Sequence, residues 1–117
     1  MFGLGPATKV YLAAGATDMR KGFSGLYSLV RDRLQSDPTS GHLYLFANAR
    51  KTRLKVLFWD GSGLWVCGKQ LSQGRFRWPD GSTEARITMS HDELTLLLHG
   101  IDLEQAQRRK WYRKVPA

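Results

Sequence analysis

Carboxylates come first among the residues able to do chemistry, because enzymes that cut or join phosphodiesters hold divalent metals between clustered acids. Here Asp18, Asp60, Asp80, Glu84, Asp92, Glu93 and Asp102 fall mostly in turns or helix starts. Asp60-Gly61 and Asp80-Gly81 are turn dipeptides, and negative charge at Asp92 and Glu93 suits a helix N-terminus. His91 and His99 share a segment, but eight residues span just over two helical turns, too far for one metal. With Cys67 as the single cysteine, no structural zinc pattern forms. No glycine-rich nucleotide loop and no nucleophile elbow is present. The sequence therefore predicts no catalytic residue, no metal and no cofactor.

The cations are a different matter. Arg20 and Lys21 join an expected strand to an expected helix, where Asp18 as a cap leaves free amides beside two positive charges, a combination that suits a phosphate. An ordinary capped helix start with solvated cations fits the same residues. Arg50, Lys51, Arg53 and Lys55 lie in a turn and the start of a strand, with Arg53 and Lys55 on one face. If the next strand presents Lys69 alongside, the sheet carries a basic surface. Arg75 and Arg77 alternate with Phe76 and Trp78, so the rings either stack on unpaired bases or turn inward as core. Arg108, Arg109, Lys110, Arg113 and Lys114 surround Trp111 and Tyr112 in the densest basic stretch. It either lies along phosphates or is a solvated tail. Trp59 and Trp65, flanking the Asp60-Gly61-Ser62-Gly63 turn, serve either the core or a protein partner.

These residues need elements to hold them. Lys9–Ala14 reads as a strand. Phe23, Leu26, Tyr27, Val30 and Leu34 form an apolar helical stripe ended by Asp37-Pro38, with Thr17 or Asp18 as its cap. His42–Asn48, Leu54–Trp59, Leu64–Leu71, Arg75–Trp78 and Ala85–Met89 read as further strands between turn signals. Ser90 and Glu93 make a capping box, and the helix it opens carries Leu94, Leu97, Leu98 and Ile101 toward a stop near Gly100. The frequent turns favour an antiparallel sheet over alternating strand–helix–strand units. The expected fold class is α+β: an antiparallel sheet of five or six strands packed by two helices. One domain is expected over residues 1–104, with a basic tail over 105–117 that is mobile until a partner orders it.

Length and charge bound the function. The chain has 117 residues, enough for one domain with a real core. A lone cysteine gives no internal disulfide, the N-terminus lacks a signal-peptide pattern, and no run is long enough to span a membrane. The expected location is the cytoplasm. Eighteen Lys and Arg against ten Asp and Glu give a net charge of +8. Such a field attracts polyanions, with nucleic acid first among them.

The order of motifs resembles a known family. Ala13–Phe23 (AAGATDMRKGF), Leu57–Leu64 (LFWDGSGL), Lys69 and Leu71 with Gly74-Arg75-Phe76 and Trp78-Pro79, and Leu94-Leu97-Leu98 with Gly100-Ile101-Asp102 are similar to the blocks of accessory protein B. That protein is encoded by the second reading frame of bacterial insertion sequence 66 type elements. The resemblance covers roughly residues 3 to 104, while the basic tail matches only in character. It implies a role in transposition beside a larger transposase, which carries the strand-transfer chemistry, and a second small accessory protein. The function expected is a non-catalytic accessory protein, not an enzyme. It would bind DNA, the transposase or both through Arg20, Lys21, Arg50, Lys51, Arg53, Lys55, Lys69, Arg75, Arg77 and the tail cations, and be nucleoid-associated when on DNA. The alternatives are an interaction module whose basic surface meets an acidic patch of the transposase, and a metal-dependent nuclease.

Overall fold

The computed structural model describes residues 5–79 and 81–100. Five strands form one sheet in the order β4-β3-β2-β1-β5. They are β1 (Val10–Ala13), β2 (Leu43–Ala47), β3 (Arg53–Trp59), β4 (Leu64–Gln70) and β5 (Arg86–Met89). Helix α1 (Phe23–Ser28) lies between β1 and β2, and α2 (His91–Leu98) follows β5. The fold is α+β, as the sequence predicts. Residues 101–117, including the basic tail cations, and the turn residue Asp80 lie outside the described residues.

β1 and β2 are buried along their whole length. Their runs, VYLA and LYLFA, are nearly continuous in apolar character because both faces of the sheet are covered. On one face Tyr11, Ala13, Tyr44, Phe46 and Leu57 pack against Leu26, Val30 and Leu34. On the other, Val10, Leu12, Leu43, Leu45, Leu54 and Val56 pack against Leu94 and Leu97 of α2, with Phe76 and Trp78. Each helix stripe thus covers its own side of the sheet.

The structure corrects four local expectations. First, the sheet is mixed: β1 pairs with β2 in parallel, and every other pairing is antiparallel. A parallel pair needs a crossover of a dozen or more residues, and the long α1 connection supplies it. Second, Gly22 is the N-cap of α1 and gives it no side-chain cap, and neither Thr17 nor Asp18 serves it. Third, the helix continues as a π-helical turn over Leu29–Arg33 and ends where Gln35 takes a left-handed φ of 49°, before Asp37-Pro38. The wider turn carries Leu26, Val30 and Leu34 to the sheet at every fourth residue, while Phe23 is left exposed. Fourth, Arg75–Trp78 is not a strand but an irregular segment that tucks Phe76 and Trp78 under the sheet.

The second helix matches its sequence signals closely. Ser90 Oγ accepts from the Glu93 amide at 3.1 Å, and the Glu93 carboxylate accepts from the Ser90 amide at 3.1 Å. Gly100, with φ at 68°, ends the element, as only glycine adopts that region without strain.

Candidate nucleic-acid interface

Strand register decides where the cations go. The end of β1 (Ala13), the end of β2 (Ala47), the start of β3 (Arg53), the end of β4 (Gln70) and the start of β5 (Arg86) lie at one end of the sheet. Three connections therefore meet there: residues 14–22, 48–52 and 71–85. They are stitched together by backbone bonds. The Thr17 amide donates to Ala47 O at 2.7 Å, Phe76 to Lys51 O at 2.6 Å, Leu71 to Thr52 O at 2.9 Å and Ala14 to Ala85 O at 2.9 Å. The Trp78 indole Nε1 reaches Ala13 O at 3.0 Å, tying the irregular segment to the central strand.

The same connections carry the predicted basic residues. Arg20 and Lys21 stand in the first, Arg50 and Lys51 in the second, and Arg75 and Arg77 in the third. Arg53 and Lys55 begin β3 on the α1 face, and Lys69 is near the end of β4. Asn48 shapes the middle connection: its Oδ1 accepts from the Thr52 amide at 2.9 Å and the Arg53 amide at 3.1 Å. Lys51 takes a left-handed φ of 59° within that turn. Its Nζ approaches Gly15 O at 3.4 Å and lies 5.8 Å from the centre of the Trp78 ring. Lys55 Nζ donates to Lys21 O at 2.8 Å, joining β3 to the first connection. Arg50, Arg53 and Arg75 are exposed and form no ion pair with the described residues.

Acids are placed the other way. Asp37 and Asp60 sit in the connections at the far end of the sheet, and Asp92 and Glu93 in the first turn of α2, which follows β5 at that end. At the basic end, the described acids of the connections are Asp18 and Glu84. Positive and negative charge are thus separated along the strand direction, and fields of one sign add where they gather.

Two predicted residues behave differently from the others. Arg20 is locked to Asp18 by a two-pronged contact, with Nη2 to Oδ2 at 2.8 Å and Nε to Oδ1 at 3.1 Å. That guanidinium and the Arg20 amide lower the Asp18 carboxyl to about 2. Asp18 therefore offsets Arg20 instead of capping a helix. Lys69 is paired with Leu54 and so projects on the α2 face, away from Arg53 and Lys55. Its Nζ donates to Leu98 O at 2.6 Å, the place for a cation at a helix C-terminus. The one-face basic sheet expected from Arg53, Lys55 and Lys69 does not form, and the cations wrap around the end of the sheet.

Sequence reading missed Arg33. It comes from the π-helical turn, and its Nη2 donates to Ala14 O at 3.0 Å, adding a cation beside the first connection. No spacing signal marks it, because the π turn changes which way the helix faces. Thr17 is a second surprise: it is 7% exposed, and its hydroxyl has no hydrogen-bond partner among the described residues.

The aromatic alternatives are now separated. Phe76 and Trp78 are buried core, at 2% and 5% exposure, and are unavailable for stacking on bases. Trp65 is 52% exposed and stacks on Phe58 with centroids 6.1 Å apart. Its Nε1 donates to Asp60 Oδ2 at 2.7 Å. Asp60 Oδ1 also accepts from the Ser62 and Gly63 amides at 2.8 and 2.9 Å, which pushes its carboxyl far below the usual range. Asp60-Gly61 is thus the hairpin turn its residues suggest, with Gly61 at a φ of 103°.

The histidines each hold backbone in separate places: His42 takes the Lys9 amide, His91 meets Thr8 O and His99 meets Thr95 O. Among the described residues, no group of three or more His, Cys, Asp or Glu is placed to hold a metal. No described helix is long and apolar enough to cross a membrane.

Fold and site together define a small mixed-sheet α+β protein with its cations gathered at one end of the sheet. Residues 8–108 match the IS66 Orf2 like protein family, and the chain belongs to it. It is 34% identical over 109 residues to the uncharacterized protein y4jC of Sinorhizobium fredii, covering 93% of this chain and 92% of that one. It is 39% identical over 103 residues to the uncharacterized protein y4hO of the same organism, covering 88% and 89%. No solved structure matches the chain.

Proposed function

We propose that this chain is a non-catalytic accessory protein of transposition, and that its basic end holds the phosphate backbone of DNA at the ends of the element. The observation that carries the reading is the convergence of Lys21, Arg50, Lys51, Arg53, Lys55, Arg75 and Arg77 on one end of the sheet, with the acids gathered mostly at the other. A polyanion gains from that field by releasing counterions, and the contact needs no base-specific reading. Family membership supplies the transposition setting. Arg108, Arg109, Lys110, Arg113 and Lys114 would add further phosphate contacts in this reading. The larger transposase and the second small accessory protein are the protein partners of this reading. The cytoplasm, on the nucleoid when DNA is bound, is its location.

Purified full-length protein titrated against single- and double-stranded element ends at several salt concentrations tests it. Binding that weakens steadily as salt rises supports a phosphate interface. Binding that requires added transposase would replace it with a protein-docking role for the same cations. Metal-dependent cleavage of the DNA, lost on Asp→Ala substitution, would overturn the non-catalytic part.

A further inference from the structure

Gly68 interrupts the side chains of edge strand β4 on the α1 face, directly across from Lys55. Its φ is not left-handed, and a Cβ there would meet nothing closer than Leu54 O at 3.7 Å and Lys55 Cγ at 4.0 Å. Neither backbone conformation nor packing calls for glycine at this position. A glycine inside a strand otherwise marks a place where something approaches the backbone closely. Gly68 lies on the wall of a groove of about 230 Å³, lined by Met19, Arg53, Leu54, Lys55, Lys69 and Gln70 with it.

The border is mixed in character. Arg53 is exposed and forms no ion pair with the described residues. Lys55 places its ammonium on Lys21 O at 2.8 Å, between groove and first connection. Gln70, opposite Arg53 in the register, brings an amide that both donates and accepts. Met19 brings a polarizable thioether that packs well against flat rings. A cation for a phosphate, an amide for a polar edge and a soft apolar wall over a bare strand match the parts of one nucleotide. A groove of about 230 Å³ admits one planar base but not a paired duplex.

We infer that the Gly68 groove holds one unpaired nucleotide of a DNA strand, its base against Gly68 and Met19 and its phosphate on Arg53. This rests on the phosphate-binding reading of the basic end and adds a preference for single-stranded DNA. Gly68→Val puts a branched side chain into the groove where the base would lie, without changing charge, and valine suits a strand. Affinities for a labelled oligothymidine and for a duplex of the same length, at one ionic strength, read the effect. The expected result is a roughly tenfold loss for the single strand, the lower range for one held base, with duplex affinity unchanged. Met19→Ala should lower single-strand affinity in the same direction, and it answers the question should Gly68→Val fail to fold. Unchanged single-strand affinity in the folded variants, with salt-dependent binding intact, overturns the groove and leaves the basic end standing. Absence of salt-dependent binding to either DNA by the wild-type protein overturns both. Displacement of the oligothymidine by thymidine monophosphate at equal concentration overturns the assignment to a strand in favour of a free nucleotide.

Discussion

Replacing Phe76 with alanine separates support of the basic end from contact with its ligand. The ring is 2% exposed and belongs to the cluster that α2 closes over β1, β2 and β3. Truncating a buried phenylalanine costs about 3–5 kcal/mol, from lost transfer energy and the cavity left behind. A domain this size has a total stability of about 5–15 kcal/mol, so the change removes a large share. At roughly 4–5 °C per kcal/mol, the midpoint should fall by about 12–25 °C. Thermal and urea melts followed by circular dichroism measure it. Phe76→Leu keeps much of the volume and should cost only about 1 kcal/mol, which keeps the test usable should the alanine variant not fold. Below its transition, Phe76→Leu should bind DNA as the wild type does, since the ring faces inward. Arg75→Ala, one residue away and exposed, should do the reverse: little change in stability and weaker binding. A Phe76→Ala melt within two or so degrees of the wild type would refute the core assignment. Reduced single-strand affinity at unchanged stability would return the ring to base stacking.

Two further outcomes follow from named groups. Thr17→Val exchanges a buried hydroxyl with no partner among the described residues for a methyl group of similar shape, so stability should rise by about 1 kcal/mol, and a fall of that size in a urea melt would mean the hydroxyl is satisfied. The Asp60 carboxyl is held low by the Ser62 and Gly63 amides and the Trp65 indole. A depressed folded-state pKa stabilises above the unfolded value and loses that contribution only as pH falls through the folded value. The Trp65 indole N–H resonance should therefore stay constant down through pH 4, where an ordinary Asp titrates, and shift only well below it. A midpoint near pH 4 would show that the Trp65–Asp60 bond does not hold.

What could be read in advance tracks how local each feature is. The Ser90–Glu93 box and the Asp60-Gly61 turn are settled within a few residues by backbone groups that need partners, and both form as their residues suggest. The parallel β1–β2 pair depends on where a distant strand lands, and nothing in KVYLAA or HLYLFAN distinguishes a parallel neighbour from an antiparallel one. RFRW alternates as a strand does, yet the same alternation serves an irregular segment with two rings inward and two arginines outward. For the site, the residue types at the basic end were legible, but their faces were not. Lys69 is on the far face because β4 pairs it with Leu54, a register fixed by the hairpin and not by the lysine itself. Asp18 has the residue type of a helix cap, but the N-cap of α1 is Gly22, and the carboxylate takes Arg20 instead. Arg33 joins the group only because a π turn redirects it.

The salt dependence of DNA affinity tests the basic end most directly. Wild-type protein, the Arg50→Ala/Arg53→Ala/Arg75→Ala variant and the Lys9→Ala control, which removes a cation from the opposite end, are titrated against one labelled DNA over a series of salt concentrations. Each phosphate that a variant no longer neutralises should flatten the slope of log affinity against log salt by about 0.9 on duplex or about 0.7 on a single strand. The triple variant should therefore show a slope shallower by roughly 2–3, while Lys9→Ala should match the wild type. Equal slopes for the triple variant and the wild type would contradict a phosphate-binding role for this end of the sheet.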